Sequence, residues 1–384
     1  MPVRKLEDTM GSDRNRKAKV LVLGAGVAGC TTAYLLARKG YLVTILEGGH
    51  EPGGGVRTRW YGGHPYTFGP RVFFSKDDEI ISLLTSLTKI RPFYTRSWTY
   101  VSEDGQLYHY PLFLDDLSKM PDWNKISQQL DERKGKTPRT NNFENYWLDA
   151  IGPNLYQKFI DQYSKKMWGI ESNRSLTANF DWVNRGTPIR KDDTRLYGDQ
   201  FQGYPEAPDG FNGFFSRALE DIDCVFDCQI LSFDPDRRVV TTTKGDFHGE
   251  VIVNTVHVDL LFGGVHGNLQ FCGRQFLKVM LPIKQAFPDD VTWIHYSGSE
   301  AFTRVTEFKK ITNHKAADTM LGIEIPTDAN RYYPVQSEVE LDRFKKYKAL
   351  FPKDFYSIGR MGSFRYKGIP DAIRDALDVT QKIG

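Results

Sequence analysis

The sequence predicts an α/β protein in which a discontinuous Rossmann-like dinucleotide-binding domain carries a helical insertion and an antiparallel β-sheet domain. Three observations lead there. A strand, glycine turn, helix and second strand follow one another near the start. Apolar residues at i, i+3 and i+4 spacing then take over, and strand-like stretches separated by turns dominate the last third.

The opening pattern is "AKVLVLGAGVAGCTTAYLLARKGYLVTILEGG". Val20 to Leu23 is a short apolar run suited to a buried parallel strand. Gly24, Gly26 and Gly29 form G-x-G-x-x-G, a helix is expected from about Cys30 to Lys39, and Gly40 ends it. Tyr41 to Leu46 makes the second strand, with Glu47 at its carboxyl end. Gly24 allows the tight turn, Gly26 lets backbone approach a pyrophosphate, and Gly29 lets helix and strand pack closely. The helix N-terminus receives the phosphate charge and the carboxylate accepts from a ribose hydroxyl. A second glycine turn, Gly53 to Gly55, favours FAD over NAD, because the chain would cross the pyrophosphate there. "YTFGPRVFF" would then run toward a flat ring, with Phe73, Phe74 and the Gly-Pro turn as its wall.

The remaining elements follow from periodicity. "DDEIISLLTSL", "PLFLDDLSKM" and "NNFENYWLDAIGPNLYQKFIDQYSKKMW" read as amphipathic helices, with "DERKGKTPRTNN" as an exposed loop between two of them. "FFSRALEDIDCVFDCQILSFDPDRRVVTTTKGDFHGEVIVNTV" reads as helix, strand, hairpin and strand. "FLKVML", "VTWIHY" and "TMLGIEI" suggest the antiparallel sheet, and the tail is a strand, a glycine turn and a long helix. The expected boundaries are a disordered lead-in over 1–19, FAD-domain segments over 20–76, 208–265 and 351–384, a helical substrate domain over 77–182, and sheet-domain segments over 183–207 and 266–350.

Composition narrows the function classes. With 384 residues, 40% hydrophobic and 26% charged, the chain reads as an ordinary globular protein of two or three interleaved domains. No run reaches the roughly 18 apolar residues of a membrane span. The polar N-terminus lacks the apolar segment of a secretory signal, which points to the cytoplasm. A net charge of +3 without a basic tract argues against nucleic acid but suits an anionic small substrate. The four cysteines, Cys30, Cys224, Cys228 and Cys272, read as free thiols, with Cys224 and Cys228 on one strand face; no metal-site spacing is present.

The order of motifs resembles the UDP-galactopyranose mutase family over nearly the whole chain after residue 19. The resemblance is carried by "NLYQKFIDQYSKKMWG", "RGTPIR", "FQGYP", "FTRVTEFKK", "RYYPV" and "GRMGSFRY". It implies that reduced FAD supplies a nucleophilic N5 to the anomeric carbon of a nucleotide sugar, with no net oxidation. It also implies roles for particular residues. Arg185 and Arg304 would clamp the diphosphate, as a planar guanidinium fork can. Tyr332, Tyr333 and Tyr366 would donate to phosphate. Phe159 and Tyr163, at i and i+4, would face the uracil, with Trp168 at the sugar end. For the cofactor it implies Gly24, Gly26, Gly29, Glu47, Gly54, Gly55, Arg57, Gly69, Pro70, Arg360, Gly362 and Ile369. The family is commonly dimeric.

The departures from the family pattern cluster at the sugar. Arg71 and Phe74 stand where bacterial members usually have histidines, His295 stands for an asparagine, and Gly368 for an aspartate. Changed sugar contacts beside retained phosphate contacts point to a mutase for a sugar other than plain galactose, with Arg71 as a catalytic-site cation that selects it. Two other classes stay open: an amine-oxidase-type FAD oxidoreductase, and a silent flavoprotein that binds nucleotide sugar without turnover.

Overall fold

The computed structural model describes residues 18–177 and 189–384. Most of the expected lead-in and Arg185 lie outside the described residues.

Five parallel strands form the dinucleotide domain, in the order Asp223–Val225, Leu42–Leu46, Lys19–Leu23, Val251–Asn254, Phe355–Ser357. After Lys19 the central strand is apolar because both of its faces are covered; Val20 to Leu23 are wholly buried. Helix Val27–Arg38 packs against helix Ile369–Ile383 on one face, so the two ends of the chain close a single domain. Leu23 and Glu47 thus sit at the carboxyl ends of neighbouring strands, where such sheets bind ligands.

The second sheet has seven strands, in the order Tyr333–Pro334, Phe271–Leu281, Thr319–Thr327, Arg304–Glu307, Trp293–Tyr296, Ser97–Val101, Gln106–Tyr110. All neighbours are antiparallel except Trp293–Tyr296 with Ser97–Val101. The last two strands correct the expectation of an all-helical insertion. Ser97–Val101 and Gln106–Tyr110 form a hairpin inside the supposed helical segment, and they extend the sheet by two strands. "PLFLDDLSKM" is also mixed, a two-residue strand followed by the short helix Leu114–Leu117.

Helix Asp78–Leu87 buries Ile80, Leu84 and Leu87 against the dinucleotide domain, whereas helix Trp123–Arg133, helix Phe143–Ile151 and the helical run ending at Trp168 share a core of their own with Ile126, Trp147, Leu155, Phe159 and Met167. Lys158, 8% exposed, crosses into that layer to bond Asp104 and Asp122 at 2.6 and 2.8 Å. Cys224 and Cys228 do not share a strand: Asp227 adopts φ 52 between Asp223–Val225 and Ile230–Asp234, which breaks the extended run. All four cysteines are free.

Candidate active site

A cavity of about 1120 Å³ runs from the carboxyl ends of the parallel strands across the floor of the antiparallel sheet. One small-molecule site typically takes roughly 300–1,000 Å³, so this cavity lies at the upper end of that range.

Its dinucleotide end is built from glycine. Gly24 has φ +98, and a Cβ at Gly29 would stand 2.0 Å from the Gly24 carbonyl oxygen, so only glycine lets the helix pack there. At Gly26 a Cβ would meet no protein atom within 4 Å, because that backbone faces open cavity. The second glycine turn docks on the first through the Gly53 amide, which donates to Ala25 O at 2.8 Å. Glu47 accepts from the Ala25 and Gly49 amides at 2.7 Å each, which fixes its carboxylate at the strand end. Helix Val27–Arg38 has no side-chain cap on its first turn. Uncapped amides, a glycine cradle and a fixed carboxylate are the donor set of an FAD adenosine diphosphate, and the residues present fit that group.

The other end is a row of cross-strand partners. Phe276 pairs with Glu324, Glu324 with Arg304, and Arg304 with His295, so all four share one face of the sheet. Arg304 donates to Glu324 through Nε at 2.7 Å and through Nη2 at 2.8 Å. Burial pushes the Glu324 carboxyl up, but Arg304 outweighs it, with Arg274 and Arg71 beyond, and holds it below the ordinary carboxylate range. Burial, then Arg304, drives His295 well below the usual imidazole range, so its ring is neutral at pH 7. That ring lies edge-on to Tyr110 and Tyr163, each 5.4 Å away.

Of the other guanidiniums that line the cavity, Arg71, Arg274 and Arg360 make no ion pair with a carboxylate among the described residues. Arg71 donates to Gly55 O at 3.2 Å. Arg274 is tethered to the Gly273 and Met167 carbonyls, and Arg360 to the Lys367 carbonyl. Arg274 and Arg360 stand 4.7 and 5.0 Å over the Tyr333 ring, and Tyr366 stacks on it at 5.6 Å. The Gly-Pro turn passes directly above the Arg304–Glu324 pair: at Gly69, φ +76, a Cβ would stand 3.2 Å from Glu324 and 3.3 Å from Arg304.

Of the site residues read from sequence, Gly24, Gly26, Glu47, Gly54, Gly55, Arg57, Gly69, Pro70, Arg71, Tyr163, His295, Arg304, Tyr332, Tyr333, Arg360, Tyr366 and Ile369 line this one cavity. Gly29 and Gly362 support it from behind; a Cβ at Gly362 would meet Asn254 O at 2.7 Å. Phe159 is 3% exposed and packs edge-on to Tyr108 instead. Phe159 lies in a π-helical turn, Tyr156–Asp161, and its ring joins the core of the helical layer. Trp168 is likewise buried, and braces Tyr333 and Tyr366 edge-on at 6.4 and 6.0 Å. Phe73 is wholly buried, while Phe74 lines the cavity and stacks on Tyr197 at 3.6 Å.

Glu324, Arg274 and Tyr110 are absent from the sequence reading. Glu324 had a signal, as the lone charge of "TMLGIEI"; Arg274 shares its strand with Gln275 and Lys278 and did not stand out. Tyr110 had none, because its strand was not foreseen.

Comparison with known proteins agrees with this geometry. The family model described as UDP-galactopyranose mutase matches residues 158–366. A model of an NAD(P)-binding Rossmann-like domain matches residues 22–87. A dTDP-fucopyranose mutase of Escherichia coli is 26% identical, covering 94% of this chain and 97% of that protein. A probable UDP-galactopyranose mutase of Klebsiella pneumoniae is 23% identical, covering 93% and 92%. A crystal structure of reduced UDP-galactopyranose mutase superposes with TM-score 0.81 at 17% identity, covering 96% of this chain and 95% of that one. The order of the motifs, the cavity that gathers them and the match over more than half of the sequence agree: the chain belongs to the UDP-galactopyranose mutase family, whose members are isomerases.

Proposed function

We propose that this protein interconverts the pyranose and furanose forms of a nucleotide sugar with the help of reduced FAD, and that its sugar is not plain galactose. The observation that carries the reading is the excess of cations facing the glycine cradle. Arg71, Arg274, Arg304 and Arg360 share one cavity with three carboxylates that are already engaged: Glu324 by Arg304, Glu51 by Arg57 and Glu47 by two backbone amides. That excess suits a diphosphate, both as a bound group and as a leaving group that gains charge.

When bound, reduced flavin supplies a nucleophile for the anomeric carbon. The chain's own residues do the rest. Gly24, Gly26, Glu47, Gly54 and Gly55 would hold the dinucleotide, with Arg57, Gly69, Pro70 and Ile369 around it. Arg304, set rigidly by Glu324, faces the diphosphate, and Tyr332 and Tyr366 supply hydroxyls. Neutral His295, between Tyr110 and Tyr163, offers one donor and one acceptor nitrogen to a pyrimidine edge. Aromatic walls exclude water, which strengthens each of these interactions.

Arg71 places a permanent cation where the family pattern has a titratable ring. A deoxy, N-acetylated or pentose sugar fits that change, and the dTDP-fucopyranose named in the Escherichia coli relative is a deoxy sugar. The test is anaerobic incubation of dithionite-reduced protein with UDP-, GDP- and dTDP-pyranoses. A product of unchanged mass, formed only with reduced flavin, is expected. No such product from any donor overturns the reading and leaves the silent binder or, if oxygen is consumed, the oxidoreductase. Arg71→His is expected to shift kcat/KM between sugars by about 10-fold or more, the order that one polar contact carries. An unchanged preference removes Arg71 as selector.

A further inference from the structure

The base and diphosphate ends of the cavity hang on separate segments of the chain. Tyr163 stands on helix Gln162–Trp168. His295 and Arg304 face each other across strands Trp293–Tyr296 and Arg304–Glu307, which a connection over residues 297–303 joins. A nucleotide that spans both ends gains most where helix and hairpin already hold a fixed separation, because groups set in advance lose no freedom when the ligand arrives.

Two consecutive residues fasten the helix to the sheet, at different places. The Met167 carbonyl accepts from Arg274 Nη2 at 2.9 Å and from Cys272 Sγ at 3.0 Å, which ties the helix to strand Phe271–Leu281. Lys166 turns instead to the hairpin. Its Nζ donates to the carbonyl oxygens of Tyr296, Gly298 and Glu300, at 2.9, 3.0 and 2.9 Å. The Glu300 carboxylate stands 3.7 Å away, and the Lys166 side chain is only 15% exposed. Lys166 itself lies behind the cavity wall and is not part of its lining.

An ammonium carries three N–H groups on one atom, and here each finds a carbonyl. Carbonyl oxygens that converge on one point repel one another unless a cation stands among them. The shape of the connection therefore depends on the helix that supplies the cation. Its other bonds lead elsewhere. Tyr296 N donates to Thr303 O at 3.0 Å across its base, Ser297 Oγ to Tyr100 O at 3.1 Å, and Ser102 Oγ to Glu300 Oε1 at 2.6 Å. On the helix, Tyr163 lies three residues before Lys166, so the two share a face. The Tyr163 ring meets His295 edge-on at 5.4 Å.

We propose that Lys166 is a positioning residue for the nucleotide. By clamping the connection after Tyr296 to helix Gln162–Trp168, it sets Tyr163 against His295 and Arg304 and touches no ligand itself. The role rests on the mutase reading, because that reading places a nucleotide across these three side chains.

The experiment uses the full flavin-bound chain, with UDP and dTDP as probes in titration calorimetry. Lys166→Met is expected to weaken binding of whichever nucleotide the wild type takes by about 10-fold or more, with flavin content unchanged. With a pyranose that turns over, KM should rise by a similar factor while kcat stays within about threefold, as when ground state and transition state lose the same binding. His295→Ala closes a double-mutant cycle. Because Lys166 acts through the hairpin that carries His295, the double variant should bind within about threefold of the weaker single variant. A lysine that only supports the fold gives another pattern: a lower melting temperature with nucleotide affinity within about threefold of wild type, or a loss that adds to that of His295→Ala. Either result overturns the proposal. If Lys166→Met does not fold, Lys166→Arg replaces it. Its flat fork does not match three carbonyls that converge on one atom, so the same non-additive loss is expected, and wild-type affinity overturns the proposal. If the wild type binds neither UDP nor dTDP, the mutase reading itself falls and the role with it.

Discussion

Arg304→Ala abolishes turnover and weakens nucleotide binding while the flavin stays bound. The variant also loses about 3 kcal/mol of stability, because removing one partner of a buried pair strands the other charge. Glu324 is 2% exposed and takes both of its Arg304 contacts at hydrogen-bond length. The stability loss depends on pH in a defined direction. In the wild type Glu324 lies below its unfolded pKa, so its contribution is present above roughly pH 4.3 and fades as pH falls. In the variant burial dominates and raises it, so the folded state binds a proton that the unfolded state has released. The stability gap between the two proteins therefore widens from pH 4 to pH 7, as thermal melts at both values would record. Arg304→Ala/Glu324→Ala separates structure from chemistry: stability is largely recovered and turnover is not. A double variant that turned over normally would remove Arg304 from the diphosphate site.

Gly29→Ala gives a protein without flavin. A methyl group 2.0 Å from the Gly24 carbonyl oxygen forces helix Val27–Arg38 away from the central strand. Overpacking of this kind costs about 3 kcal/mol or more when the obstacle is backbone, since backbone cannot rotate aside. The neighbouring change makes the contrast. A Cβ at Gly26 meets no protein atom within 4 Å, so Gly26→Ala should melt like the wild type. It should nevertheless bind flavin more weakly, because the methyl enters the cavity where a pyrophosphate would approach. Bound flavin per chain and the melting temperature, measured on both variants, distinguish the two outcomes. If Gly26→Ala binds flavin as the wild type does, the cofactor does not lie over that turn.

Legibility followed the range of the determining interaction. The glycine cradle and Glu47 were readable because a turn, a helix start and a strand end are set by residues a few places apart. Tyr163 and Phe159 show where local reading ends. The i and i+4 rule says that two side chains share a helix face, but what that face packs against is set by distant segments, and here one ring reaches the cavity while the other is buried in the helical core. The hairpin Ser97–Tyr110 was missed for a related reason. Its strand pattern is short, and parallel pairing with Trp293–Tyr296 joins it to residues almost two hundred positions away.

By itself the sequence determined the dinucleotide end, the free cysteines, the closure of one domain by both ends of the chain, and the set of arginines and tyrosines that carry the family resemblance. Each of these depends on residue type and near spacing. Only the tertiary structure decided what those side chains do to one another. Glu324 sits opposite Arg304 through strand register, three guanidiniums converge on Tyr333 from three separate elements, and His295 is neutral because burial, and then Arg304 across from it, disfavour its cation. Charge and burial act through distance in space, and folding brings within a few ångströms groups that the chain holds tens of residues apart.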